Sequence, residues 1–355
     1  MLDRRCDALA DALAAQDPGA VLAAIQSLFE AAQGGDADET TGALRRVSSF
    51  VARPDVPLGL RAELALLCGA LVEKGADPRP LVEPVAEGLA ETLEKAAGFA
   101  EAWRVVSGKE LPDPPQDDRR TAALIRTLSG GLLRRPKQRI SRDEAQELVV
   151  AWSVAERWSM PAATLLQQSP ELRADLAGRP RLAAAVAAIA EDRPDLWCLT
   201  GLMAVLDGER LVVLERASGR AFDVVIGGIG HNYQLHTLLM HTLVGPGLLD
   251  GAPPAPVWVS AATDGPMEPV SAIQGRFNLV GADGRWIWNE GVPADIPVLD
   301  GRRVVVLDAS PYLRTWNLGR AYPMMRPAIT LERELPGDEA ARWLGLVKPA
   351  TRHGG

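Results

Sequence analysis

Leu211-Val-Val-Leu-Glu-Arg216 and Arg220-Ala-Phe-Asp-Val-Val-Ile226, joined through Ala217-Ser-Gly219, decide how the chain is to be read. Short valine-rich runs around a glycine able to take a positive φ predict a β-hairpin. Almost everything before about Asp195 follows the other periodicity, with apolar residues three and four apart. Helical and strand-like stretches are therefore segregated along the chain rather than alternating. That predicts an α+β protein and argues against a doubly wound nucleotide fold.

Upstream of the hairpin the helix signals are dense. Asp17-Pro18 is an N-cap with proline at the first helical position, followed by Val21, Ile25, Leu28 and Phe29 up to Gly34-Gly35. Further helices are expected over about Glu39 to Ala52, from Pro57 to Gly75, and from Asp77-Pro78 through Trp103 with a break near Gly98. After a helix from about Arg119 to Leu128, Ser141 and Glu144 have capping-box spacing ahead of Leu148, Val149 and Trp152. Pro161 and Ser169-Pro170 read as two more starts, and Gly178-Arg179-Pro180 as a stop before an alanine-rich helix.

These segments share no fixed repeat. They resemble HEAT-like helical arrays in kind only, so either a bundle or an irregular array is expected. The expected organisation is a helical domain over 1–106, a Pro/Asp-rich linker over 107–118, a second helical segment over 119–194, an α+β domain over 195–347 with a mainly antiparallel sheet, and a frayed tail over 348–355.

Within the C-terminal part, Trp197 to Leu206 reads as a strand, with a short helix as its alternative. Arg276-Phe-Asn-Leu-Val280 and Arg285-Trp-Ile-Trp-Asn289 predict a second hairpin turning at Asp283-Gly284, with Trp286 and Trp288 on one face and Ile287 on the other. Val304 to Leu307 has the fully apolar pattern of a central strand. Ala328 to Glu332 reads as another strand, and a last helix starts near Pro336.

Composition narrows the function classes. Of 355 residues, 47% are hydrophobic and 24% charged, as in globular chains, and the net charge of -8 opposes a chain-wide nucleic-acid or anionic-membrane footprint. Arg134, Arg135, Lys137 and Arg139 form one local basic run, read as a solvated loop. Cys6, Cys68 and Cys198 are odd in number and far apart, which predicts reduced thiols and a cytoplasmic location. The N-terminal segment has no apolar h-region, so no signal peptide is expected, and no run approaches a membrane span. Abundant alanine and the preference for arginine over lysine point to a GC-rich bacterial genome.

Directly after the hairpin stands Gly227-Gly-Ile-Gly-His-Asn-Tyr-Gln-Leu-His-Thr-Leu-Leu-Met-His241, with three of the four histidines. The five-residue spacing places His236 and His241 about 140 degrees apart on a helix, too divergent for one ion, so no metal or other cofactor is assigned. A glycine turn feeding a helix start leaves N–H groups at Gly228, Gly230 and Asn232 for an anionic or polar ligand, with His231 and Gln234 as side-chain donors. The rival reading has the glycines serving a tight turn and Asn232 as N-cap. The dinucleotide fingerprint fails, because Tyr233 stands where its third glycine belongs.

No Gly-x-Ser-x-Gly motif is present, and Asp223, Asp264, Glu268, Glu290, Asp295 and Asp308 offer no assignable acid/base pair. The polar loops expected at 289–295 and 308–317 follow strands, where sites concentrate, and they nominate Glu290, Asp295, Tyr312, Arg314 and Asn317, with Trp288 as a further ligand-binding candidate. The resulting expectation is a binding or scaffold protein, with a protein or peptide partner on the helical half and a small ligand in the C-terminal half. The alternative is an enzyme using His231 and His236 at the glycine turn.

Overall fold

The computed structural model describes residues 1–130 and 140–351. The basic run at 134–139 lies outside the described residues. The chain divides into two compact units, Met1–Met203 and Ala204–Gly355.

Among the described residues of the first unit the regular elements are all helices: α1 (Leu2–Ala14), α2 (Pro18–Ala32), α3 (Ala37–Val51), α4 (Leu58–Glu73), α5 (Arg79–Ser107), α6 (Asp118–Ser129), α7 (Arg142–Gln168), α8 (Pro170–Ala177), α9 (Pro180–Ile189) and α10 (Trp197–Met203). Several starts are capped as expected. The Asp17 carboxylate accepts from Gly19 N at 2.9 Å, and Ser141 Oγ accepts from Glu144 N at 3.1 Å.

Two expected interruptions are absent. Helix α5 runs unbroken past Gly98 and α7 runs unbroken through Pro161. In both places packing overrides the local signal: Leu148 of α7 lies against Gly98, and Pro161 lies against Gly69 of α4. Gly88 of α5 has the same origin, because a Cβ there would stand 2.1 Å from the fully buried Trp158 ring.

Residues 108–117 cross between α5 and α6 without helix or strand. They are fastened to the helices by two indoles: Trp103 Nε1 donates to the Glu110 carbonyl at 2.8 Å and Trp152 Nε1 to the Pro112 carbonyl at 3.1 Å. Trp197 to Met203, read from sequence as a strand, is helix α10 following a 3-10 turn at Pro194–Leu196. Its Leu199 and Leu202 are buried three residues apart, a helical spacing that a seven-residue window shows too briefly.

The second unit is α+β. Strands β1 (Glu209–Glu215), β2 (Arg220–Gly227), β3 (Ile273–Gly281), β4 (Val298–Leu299), β5 (Arg302–Trp316) and β6 (Ala328–Glu334) form one sheet in the order β3-β5-β1-β2-β6, with β4 on β5. Only β1 and β5 run parallel. The β1–β2 hairpin turns at Gly219, where φ is +72°.

The central strands bury both faces. Leu211, Val213, Phe222, Val224, Leu279 and Val305 pack under α11 (Asn232–Leu239). Val212, Leu214, Val280, Val304 and Val306 pack with Trp343 of α13 (Gly337–Leu346), while α12 (Pro256–Ala262) adjoins α11.

Three expectations for this unit need correction. The arms of the second hairpin pair only briefly, through a Val280–Trp286 bridge, although Ile287 and Trp286 do join opposite cores. Residues 308–316 are not a loop but the continuation of β5. The tail is not frayed at its start, since Lys348 N and Thr351 N donate to the carbonyls of Ala282 and Gly284.

The packing contrast among helical glycines is testable by urea unfolding followed by circular dichroism. Gly88→Ala is expected to lower stability by about 1–3 kcal/mol through overpacking against Trp158. Gly42→Ala, in α3 with open space around it, is expected to raise stability by about 0.5–1 kcal/mol.

Candidate functional site

The glycine turn is built for close packing. Gly228 has φ +63°, and a Cβ there would lie 2.6 Å from the Arg326 carbonyl; one on Gly230 would lie 2.8 Å from the Tyr322 ring. The N-cap of α11 is His231, not Asn232: its Nδ1 accepts from Gln234 N at 3.0 Å. Gln234 Oε1 in turn accepts from Gly230 N at 2.9 Å, and its Nε2 donates to the Ala262 carbonyl at 2.8 Å. This reciprocal arrangement resembles a capping box with an imidazole in the serine position.

The remaining helix-start donors are also engaged. Asn232 N donates to the Gly291 carbonyl at 2.8 Å, Tyr233 N to the Asn289 carbonyl at 3.0 Å, and Asn232 Nδ2 to the Trp288 carbonyl at 2.9 Å. Gly228 N donates to the Leu206 carbonyl at 3.1 Å. The N–H groups of this turn and helix start, expected to receive an anion, therefore serve the protein's own carbonyls and the His231 imidazole. Segment 288–291 occupies the place such a ligand would need.

His236, fully buried on α11, performs a second structural task. Between β3 and β5 the register shifts: Gly275 faces Arg314 and Phe277 faces Ala309, so Ser310 to Leu313 arch out opposite the single residue Arg276. The successive N–H groups of Arg276 and Phe277 both donate to His236 Nε2, each at 3.2 Å. An imidazole thus serves as acceptor for backbone donors at a bulge.

Both rings are held neutral. Burial pushes His231 down to about 4, opposed by a backbone hydrogen bond. Burial, aided by the Arg314 charge and opposed by Asn289, pushes His236 down to about 4. His241, on the π-turn that continues α11, is exposed and points elsewhere.

Beside this scaffold lies a cleft of about 310 Å³. Trp288, Glu290, Tyr312 and Arg314 line it, whereas the other two loop candidates, Asp295 and Asn317, are not among its lining residues. Sequence reasoning missed Tyr233 and Trp316 as cleft residues. A signal for Tyr233 existed, since it stands three before His236 and so shares its helix face.

Tyr233 Oη donates to Glu290 Oε1 at 2.5 Å, and burial together with that carboxylate pushes the phenol up to about 12. The Tyr233 ring lies 5.1 Å from Trp316, which lies 5.2 Å from His236. The Arg314 guanidinium lies over both Trp286 and Tyr312, at 4.9 and 5.0 Å from their centroids, the two rings themselves being 6.3 Å apart, and Nη2 donates to Asn278 Oδ1 at 2.8 Å. Other carboxylates of the unit are engaged away from the cleft: Asp223 by Arg210 and Arg302, Asp308 by Arg216, and Asp295 by the Val292 N–H.

The cleft thus presents aromatic faces, one carboxylate and one guanidinium, while His231 and His236 are withdrawn behind it. Their depressed titration has a stability consequence. Between about pH 6.5 and 4 the unfolded chain binds protons that the folded rings refuse, so stability is full above 6.5 and falls as pH drops through that window. The loss is on the order of 3 kcal/mol per histidine by pH 4. His236→Gln is expected to flatten the acid limb of a melting-temperature profile, and an unchanged profile would refute the assignment. Among the described residues no helix is long and apolar enough to cross a membrane. Comparison with family models, with characterised proteins and with solved structures gives no match to this chain.

Proposed function

We propose that the C-terminal unit is a ligand-binding domain with the Tyr233–Glu290–Arg314 cleft as its site, in a cytoplasmic bacterial binding or scaffold protein whose helical unit offers a surface to a protein or peptide partner. The supporting observation is the division of labour around α11. His231 and His236 are engaged in holding the fold, and the groups facing the cleft are aromatic faces, one carboxylate and one guanidinium. Aromatic walls with a few convergent polar side chains are the usual make-up of a small-molecule site.

The enzyme alternative, with His231 as acid or base, lacks support in this geometry. One His231 nitrogen caps the helix and the other is buried without a partner, so neither reaches the cleft.

A thermal-shift screen of a metabolite library against the full chain tests the reading. Compounds are expected that raise the melting temperature by several degrees, as saturation near a hundredfold Kd contributes about 2.7 kcal/mol. Trp288→Ala, at an exposed cleft wall, is expected to abolish those shifts without lowering the unliganded melting temperature. Hits that persist in this variant, or a complete absence of hits, would contradict the reading.

A further inference from the structure

We infer that the ligand of the cleft is a zwitterion of the α-amino-acid type with an apolar or aromatic side chain, an inference that rests on the cleft being the binding site. Glu290 and Arg314 carry opposite charges and line the same cavity, yet among the described residues no ion pair joins them. Each is held apart by neutral partners. Tyr233 holds Glu290 through Oε1 and leaves Oε2 open. Trp286, Tyr312 and the Asn278 carboxamide hold Arg314, whose Nη1 donors meet no acceptor among the described residues.

Two fixed, opposite, separated charges select against simple ligands. A cation attracted to Glu290 meets the guanidinium, and an anion attracted to Arg314 meets the carboxylate. A molecule bearing an ammonium and a carboxylate on one carbon satisfies both: its carboxylate accepts from Nη1 of Arg314 and its ammonium donates to Oε2 of Glu290. Pre-positioned charges lower the ordering cost of such binding.

The walls supply the rest of the recognition. Trp288 is 54% exposed, Tyr312 51% and Leu313 75%, a concentration of solvent-facing apolar surface around one cavity. Covering it with an aliphatic or aromatic side chain removes that surface from water. The arch at Ser310 to Leu313, which the β3–β5 register shift throws outward, is what brings Tyr312 and Leu313 to the rim.

Isothermal titration of the full chain with four probes tests this: L-phenylalanine, phenethylamine, which lacks its carboxylate, 3-phenylpropionate, which lacks its ammonium, and maltose as an uncharged polyol. L-phenylalanine is expected to bind in saturable fashion, with either truncated analogue weaker by about tenfold or more. Glu290→Gln is expected to erase the preference over 3-phenylpropionate alone. Arg314→Lys is expected to weaken L-phenylalanine while Arg314→Gln erases its preference over phenethylamine. An analogue or maltose binding as tightly as L-phenylalanine would overturn the inference, and the cleft reading would survive if Trp288→Ala removed that binding. No binding by any of the four would also overturn the inference, leaving the cleft reading to the library screen, which is independent of these probes.

Discussion

The C-terminal unit depends on one buried imidazole. At the register shift between β3 and β5, His236 Nε2 takes the N–H groups of both Arg276 and Phe277. The buried Phe277 donor, left unpaired, would cost about 1–3 kcal/mol, so without His236 the bulge would be expensive to maintain. With it, four residues of β5 can leave the ladder and stand beside the cleft. The same ring touches Trp316, which touches Tyr233, which holds Glu290. A structural contact on α11 thereby positions recognition groups on three separate segments.

The helix start works in the same way. A helix N-terminus normally offers its free donors to water, a cap or an anion. Here His231 caps it from within and the carbonyls of Asn289 and Gly291 reach it from 56 to 59 residues further along the chain. Docking those carbonyls fixes segment 288–291, and with it the placement of Trp288 and Glu290. The glycine turn is therefore a joint rather than a receptor, and its three glycines answer to the approach of Arg326, Tyr322 and the neighbouring turn.

Much of this was legible in the sequence where the cause was local. The segregation of helical from strand-like periodicity, the Gly219 hairpin, the apolar Val304 to Leu307 strand and the Asp17 and Ser141 caps all follow from neighbours within a few residues. The gathering of Trp288, Glu290, Tyr312 and Arg314 at one cleft was not legible in this way, because the sequence reads Tyr312 and Arg314 as loop residues whereas they stand on β5. What failed was decided at long range. Pro161 and Gly98 are tolerated inside helices because partner helices lie against them, and the donors at Gly228, Asn232 and Tyr233 are filled by remote carbonyls. The arch in β5 could not be read from Asp308 to Asn317 either, since its proline and polar residues look the same in a loop as in a bulged strand.

The account makes the two imidazoles structural, each locked in a defined neutral tautomer, and heteronuclear NMR of ring nitrogens in uniformly 15N-labelled protein tests that most directly. His231 accepts at Nδ1 and is expected to carry its proton on Nε2, whereas His236 accepts at Nε2 and is expected to carry it on Nδ1. Both patterns should persist from neutral pH down towards about 4. An imidazolium signal from either ring near pH 6.5, or the opposite tautomer at His236, would contradict the account.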